Sequence, residues 1–256
     1  MIKKLFSFAL VFVLFIASAP VVSANHSWGG YHWARTANPF TLLLGDNLNS
    51  TWDPFLVTTS TDWSISDVLD TTIAAGRTNP KSCRPTNGRV EVCNSKYGNN
   101  GWLGIAQIWV TSNLHITQGV TKMNDTYFNK AAYNKPEWRN LVVCQEVGHT
   151  LGLDHQDEIF DNANLGTCMD YTNNPIDNQH PNAHDYEELG LIYAPLDTLT
   201  TIGQLTSRSP AKEIVQADLD NPKEWGKLVK GNRQVALFER DFDGGDKVFT
   251  FVIWAR

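Results

Sequence analysis

The chain predicts an α+β fold, a mixed twisted sheet with helices packed on it and a small β-hairpin appendage at the C-terminal end. Three observations carry this. Alternating or continuous apolar runs mark strands, amphipathic stretches with stop signals mark helices, and the two kinds follow one another in an order that layers helices on a sheet. Across 256 residues, 42% hydrophobic and 19% charged content supplies a core and excludes a disordered tail, a collagen-like repeat or a coiled coil.

Residues 1–24 read as a removable signal peptide: Met1-Ile2-Lys3-Lys4, an apolar run from Leu5 to Ala17, then the small-residue end Val22-Ser23-Ala24. The apolar run is short for a bilayer, and no later stretch approaches the ~20 residues of a transmembrane helix. The expectation is a secreted, extracellular product that needs no membrane. Processing would remove two lysines and no acid, lowering 21 basic residues to 19 against 27 acidic ones and moving the formal charge from -6 to -8. Nucleic acid and anionic membrane surfaces are therefore poor partners.

Strands are expected at Phe40 to Leu44, Gly104 to Val110 and His115 to Lys122. Between the first two, Ser64 to Ala75 places Ile65, Val68, Leu69 and Ile73 at helical spacing before Gly76, and predicts an amphipathic helix. A second helix is expected from about Pro136 to Leu151, with proline in its first turn and Gly152 as terminator, and a third over His184 to Tyr193. These elements make a main domain over 25–195. Few large apolar residues follow Pro195, so 196–220 reads as a linker. Over 221–256, Gln234 to Asp241 and Lys247 to Trp254 flank F-D-G-G and predict a β-hairpin, too small to hold a core alone and so expected to dock elsewhere.

Four cysteines, Cys83, Cys93, Cys144 and Cys168, lie after the leader, and an even count in an exported chain favours disulfides. Local closure pairs Cys83 with Cys93 around the turn signal Asn87-Gly88 and leaves Cys144 for Cys168. Four cysteines permit three pairings, so the connectivity stays open.

The chemistry concentrates in C-Q-E-V-G-H-T-L-G-L-D-H, Cys144 to His155. At about 100° per residue, Gln145, Glu146 and His149 fall on one helical face about 100° wide, while Val143, Val147 and Leu151 fall opposite. Gly152 lets the chain leave by a left-handed turn, so His155 can fold back toward His149. Two neutral imidazoles so placed can hold a metal ion with an acid beside it. His115, His180, His184 and Asp157 are conceivable further donors, though no spacing argues for them.

E-V-G-H-T-L-G-L-D-H resembles the E-x-x-H-x-x-G-x-x-H part of the zinc-binding motif of metzincin endopeptidases, and looks most like the secreted, matrixin-like branch. Cys168-Met169-Asp170-Tyr171 resembles the Met-turn of that superfamily. The resemblance spans roughly Tyr31 to Ala194 in order of elements, with the two motifs as its specific part. It implies a metzincin-like catalytic domain over 25–195 and one catalytic Zn²⁺ held by His149 and His155. It further implies Glu146 as general base, Met169 beneath the metal, Tyr171 as a catalytic candidate at the metal or the oxyanion, and a protein or peptide substrate. Gly104, Ile105 and Ala106 would then belong to the edge strand on which an extended peptide is laid by strand addition.

One position departs from the pattern, since Gln145 stands where the first zinc-binding histidine belongs. An amide offers only a neutral carbonyl oxygen, whereas zinc favours imidazole, thiolate and carboxylate, so metal affinity should fall. Two functions follow: a zinc-dependent endopeptidase, or a catalytically weakened or inactive relative that keeps the cleft as a peptide-binding module. No segment between Ala24 and the first strand has the length of an inhibitory prodomain, and the expectation is a form active on export. The sequence leaves the oligomeric state and the cleavage specificity open.

Overall fold

The computed structural model describes residues 25–204 and 219–255; the expected signal peptide and much of the expected linker lie outside them. The fold is mixed α+β, with one nine-stranded sheet. Its strands are β1 (His32–Trp33), β2 (Phe40–Asn47), β3 (Leu69–Ala75), β4 (Val90–Ser95), β5 (Trp102–Val110), β6 (His115–Asn124), β7 (Lys227–Gly231), β8 (Val235–Asp241) and β9 (Lys247–Trp254). The order is β3-β2-β4-β6-β5-β9-β8-β7, with β1 pairing the start of β6. From β3 to β6 the neighbours are parallel; from β6 to β7 every pairing is antiparallel.

Helix α1 (Asp53–Trp63), the single turn α2 (Asp125–Phe128), α3 (Pro136–Thr150) and α4 (Ala183–Ile192) complete the described helices. Of these, α3 packs on β5 and β6 and against α1. Its inner face buries Leu141, Val142, Val143 and Val147 against Leu103, Ala106, Ile108 and Ile116 in the main core. No helix among the described residues is long and apolar enough to cross a membrane.

The helix expected over 64–75 is corrected. The helix lies earlier, over Asp53–Trp63, and 69–75 is β3, in parallel register with β2 from Phe40↔Leu69 onward. Ile65, which completed the helical spacing, is 63% exposed. Thr71, Thr72 and Ile73 are β-branched residues suited to a pleated surface. Ser60 Oγ on α1 donates to the Thr71 carbonyl at 3.1 Å, fixing the helix over the strand.

The C-terminal unit also differs from a hairpin appendage. It has three strands, β7 having gone unpredicted, and it continues the main sheet through eight β5–β9 pairs running from Trp102↔Trp254 to Val110↔Lys247. The early part of the expected linker is bonded to the main body, with Asp197 N donating to the Arg35 carbonyl and Thr201 N to that of Ala34, each at 2.9 Å. Both disulfides favoured by local closure form, Cys83–Cys93 and Cys144–Cys168.

Candidate metal centre

Helix α3 begins with Pro136 in its first turn and ends at Thr150, with Leu151 as its C-cap. Gly152 follows with φ +100, a left-handed conformation that costs glycine little. A side chain there would also meet the Tyr31 carbonyl at 2.5 Å. The chain therefore reverses and brings His155 back to His149, the ring centroids 4.5 Å apart and the planes at 74°.

Each imidazole is held by one nitrogen. His149 Nδ1 lies 2.9 Å from the Leu153 carbonyl, which can only accept, so Nδ1 carries the proton and Nε2 keeps its lone pair. His155 Nδ1 lies 2.8 Å from the Tyr171 hydroxyl and 3.2 Å from Asp154 Oδ1. Both Nε2 atoms are buried with no hydrogen-bond partner, as are both carboxylate oxygens of Glu146 and the Nε2 of Gln145. Leaving a buried polar group unpaired costs about 1–3 kcal/mol, and these five atoms lie on three residues of one helix and on the His155 brought back to it. Two imidazoles held through Nδ1 and open at Nε2 are a donor pair of the kind a divalent transition-metal ion takes, while the Gln145 amide is a poor third donor for zinc.

Burial pushes His149 well below the usual histidine range, with His155 adding to it, and burial also lowers His155 against the opposing pull of Asp154. Both shifts favour the neutral ring, the form in which an imidazole can ligate a metal. Burial alone raises the Glu146 carboxyl well above its ordinary value. Burial likewise raises Tyr171, so its hydroxyl stays protonated and faces His155 Nδ1. In this arrangement it holds the His155 ring.

Met169 lies beneath α3, and a side chain at Gly148 would come within 2.5 Å of its sulfur. The Met169 carbonyl accepts from Gln156 N at 2.7 Å, and the neighbouring Cys168 is bonded to Cys144 of α3. The loop therefore braces both the helix and the segment carrying His155. Gly104 is required on the opposite side, since a Cβ there would sit 2.5 Å from Val142 Cγ1 and 2.7 Å from Glu146 Oε1. We expect Gly104→Ala to lower stability by about 1–3 kcal/mol, read from the denaturant midpoint.

Gly104, Ile105 and Ala106 do not lie on an open edge. β6 occupies one side of β5 and β9 the other, pairing Gly104 with Ile253, Ile105 with Val252 and Ala106 with Phe251. This register lays the Phe251 ring flat on His149, centroids 4.0 Å apart and planes at 13°. Glu146 and His149 are completely buried beneath this cover, and the space between His155, Tyr171 and Phe251 measures only about 10 Å³. Lys230 of β7 adds a polar tie, its ammonium pairing with Asp154 and with Glu158, the latter at 2.7 Å. Beside the centre, a cavity of about 470 Å³ lined by Leu103, Trp138, Leu141, Gln145, Tyr171 and Trp254 stays open.

The structure returns His155 to His149, as the expected left-handed exit at Gly152 allows, and places Tyr171 against His155 and Met169 against the helix that carries Gln145, Glu146 and His149. His115, His180 and His184 have carboxylate neighbours elsewhere, namely Asp197, Asp62 and Glu187. Phe251 and Lys230 carried no sequence signal for the site, because each reaches it only through sheet pairing across the chain. In sequence comparison, no family model and no curated protein matches the chain.

Proposed function

We propose that the chain is a secreted zinc-dependent endopeptidase of metzincin type, kept latent by its own C-terminal strand. One observation carries the reading: two buried imidazoles converge with unpartnered Nε2 atoms next to the unpartnered carboxylate of Glu146. His149 and His155 would hold the ion, with Gln145 on the same helical face as a weaker oxygen donor. Bound zinc supplies a Lewis acid that polarises the scissile carbonyl and acidifies water.

The protein's own groups supply the rest. Glu146, kept basic enough by burial, takes a proton from the attacking water and delivers it to the leaving amine. Leu153 and Tyr171 hold the two rings in orientation, as outer-shell partners do. β5 would present an extended peptide by strand addition once β9 has left, because β9 already pairs with β5 in the antiparallel manner a substrate would use. Latency by this strand replaces the expectation of a form active on export.

The non-catalytic reading draws on the same strand addition together with Gln145, and predicts peptide capture without cleavage. The test uses the full chain carrying Phe251→Ala, stripped by chelator and supplied with zinc. Casein cleavage that returns with the ion and vanishes in the added His149→Ala variant supports the protease. Intact casein in every sample supports the binding module.

A further inference from the structure

A second cluster of metal-ligating side chains lies outside the catalytic centre, where His32, His115 and Asp197 meet. His32 of β1 and His115 of β6 are directly opposed in a parallel register, with ring centroids 5.2 Å apart. Asp197 reaches them from the segment after α4. One ligand atom from each of the three lies within 4.8 Å of the others.

The hydrogen-bond contacts fix which atoms face one another. His32 Nδ1 lies 2.9 Å from the Gly30 carbonyl, an acceptor only, so Nδ1 donates there and Nε2 is the atom turned toward Asp197. The Asp197 oxygens stand 3.4 and 3.5 Å from that nitrogen, and Oδ1 is 3.1 Å from His115 Nε2. Zinc ligands at about 2.0–2.1 Å in a tetrahedron are separated by about 3.4 Å, close to these spacings.

Arg35 competes for the carboxylate through Nη1, at 3.0 Å from Oδ2, and through its backbone N–H at 3.2 Å. Both contacts fall on Oδ2, and a carboxylate has about four acceptor sites, so Oδ1 remains turned to the imidazoles. The Arg35 contacts then resemble the outer-shell support that orients a ligating acid. The three side chains are 15–18% exposed, which admits an ion and water to complete its coordination.

We propose that His32, His115 and Asp197 bind a second divalent transition-metal ion, of the zinc and cobalt class, that joins β1, β6 and the segment following α4. Two imidazole nitrogens and one carboxylate oxygen suit that class better than calcium or magnesium. The site shares no residue with the catalytic centre, and its role is to fasten the chain on both sides of the main domain.

The test isolates this site in the full-length secreted protein carrying His149→Ala and His155→Ala, stripped by chelator and titrated with Zn²⁺. One equivalent should bind and raise Tm, and His32→Gln or Asp197→Asn added to that background should each weaken binding about tenfold or more. No binding, or binding indifferent to both substitutions, would mean an ion-free cluster of imidazoles around a carboxylate and overturn the proposal. Should the background variant fail to fold, ¹⁵N resonances of His32 and His115 in the unsubstituted chain serve instead. Zinc-dependent shifts of both Nε2 atoms support the site, and unmoved resonances reject it.

Discussion

Phe251→Ala should raise casein hydrolysis by the zinc-loaded full chain by on the order of 10²-fold. The ring is buried, stacks on His149 and also meets Trp28 at 5.4 Å. Truncating a buried phenylalanine to alanine costs about 3–5 kcal/mol. Where that loss falls on docking of β9, the population with β5 uncovered rises by a factor of ten for each 1.4 kcal/mol. The β5–β9 backbone pairs remain and keep part of the cover in place, so the gain stops short of the full figure. Activity of the unsubstituted chain equal to that of the variant would show that β9 does not restrain the site.

The second large effect lies at Glu146. In the Phe251→Ala background, Glu146→Gln should reduce turnover by about 10²–10⁴-fold, the contribution typical of a positioned general base. Zinc content should not fall, because the shape is kept and the imidazoles that would hold the ion are untouched. Burial raises the Glu146 carboxyl, so removing its ionisation also removes a strained charge, and Tm should hold or rise. Undiminished turnover in Glu146→Gln would place the base elsewhere. The two variants are complementary: the first acts on access and the second on proton transfer.

Much of the site was legible because it is local. Gln145, Glu146 and His149 share a helical face by period alone, Gly152 announces the reversal, and His155 follows three residues later. The structure shows His155 returned to His149, and it bears out helix α3 and the strands at β2, β5 and β6, whose apolar runs are long. β4 escaped notice because V-E-V-C-N-S places a charge in mid-strand, where Glu91 is fully buried and paired with Arg89 at 3.1 Å. β7 escaped because K-L-V-K-G is a largely exposed edge strand without an apolar face. The misread helix at 64–75 arose from apolar spacing that two periods fit, and tertiary packing against α1 and β2 decided for the strand.

Phe251 teaches a different lesson. The alternation over 247–254 announced a strand, but which edge it would join was a non-local matter, settled only when β5 stands next to it. A one-residue slip in that pairing would turn Phe251 to the other face of the sheet and uncover His149. The same non-locality hid the meeting of His32, His115 and Asp197, whose residues are brought together by a two-residue parallel strand and the return of the chain after α4.

Every proposed step depends on an ion held between His149 and His155, and the most direct test is the local environment of zinc in the purified full chain. X-ray absorption and elemental analysis, compared between the unsubstituted chain and His149→Ala/His155→Ala, should show the loss of one equivalent and of its imidazole scattering. Zinc content and scattering unchanged by removal of both histidines would contradict it.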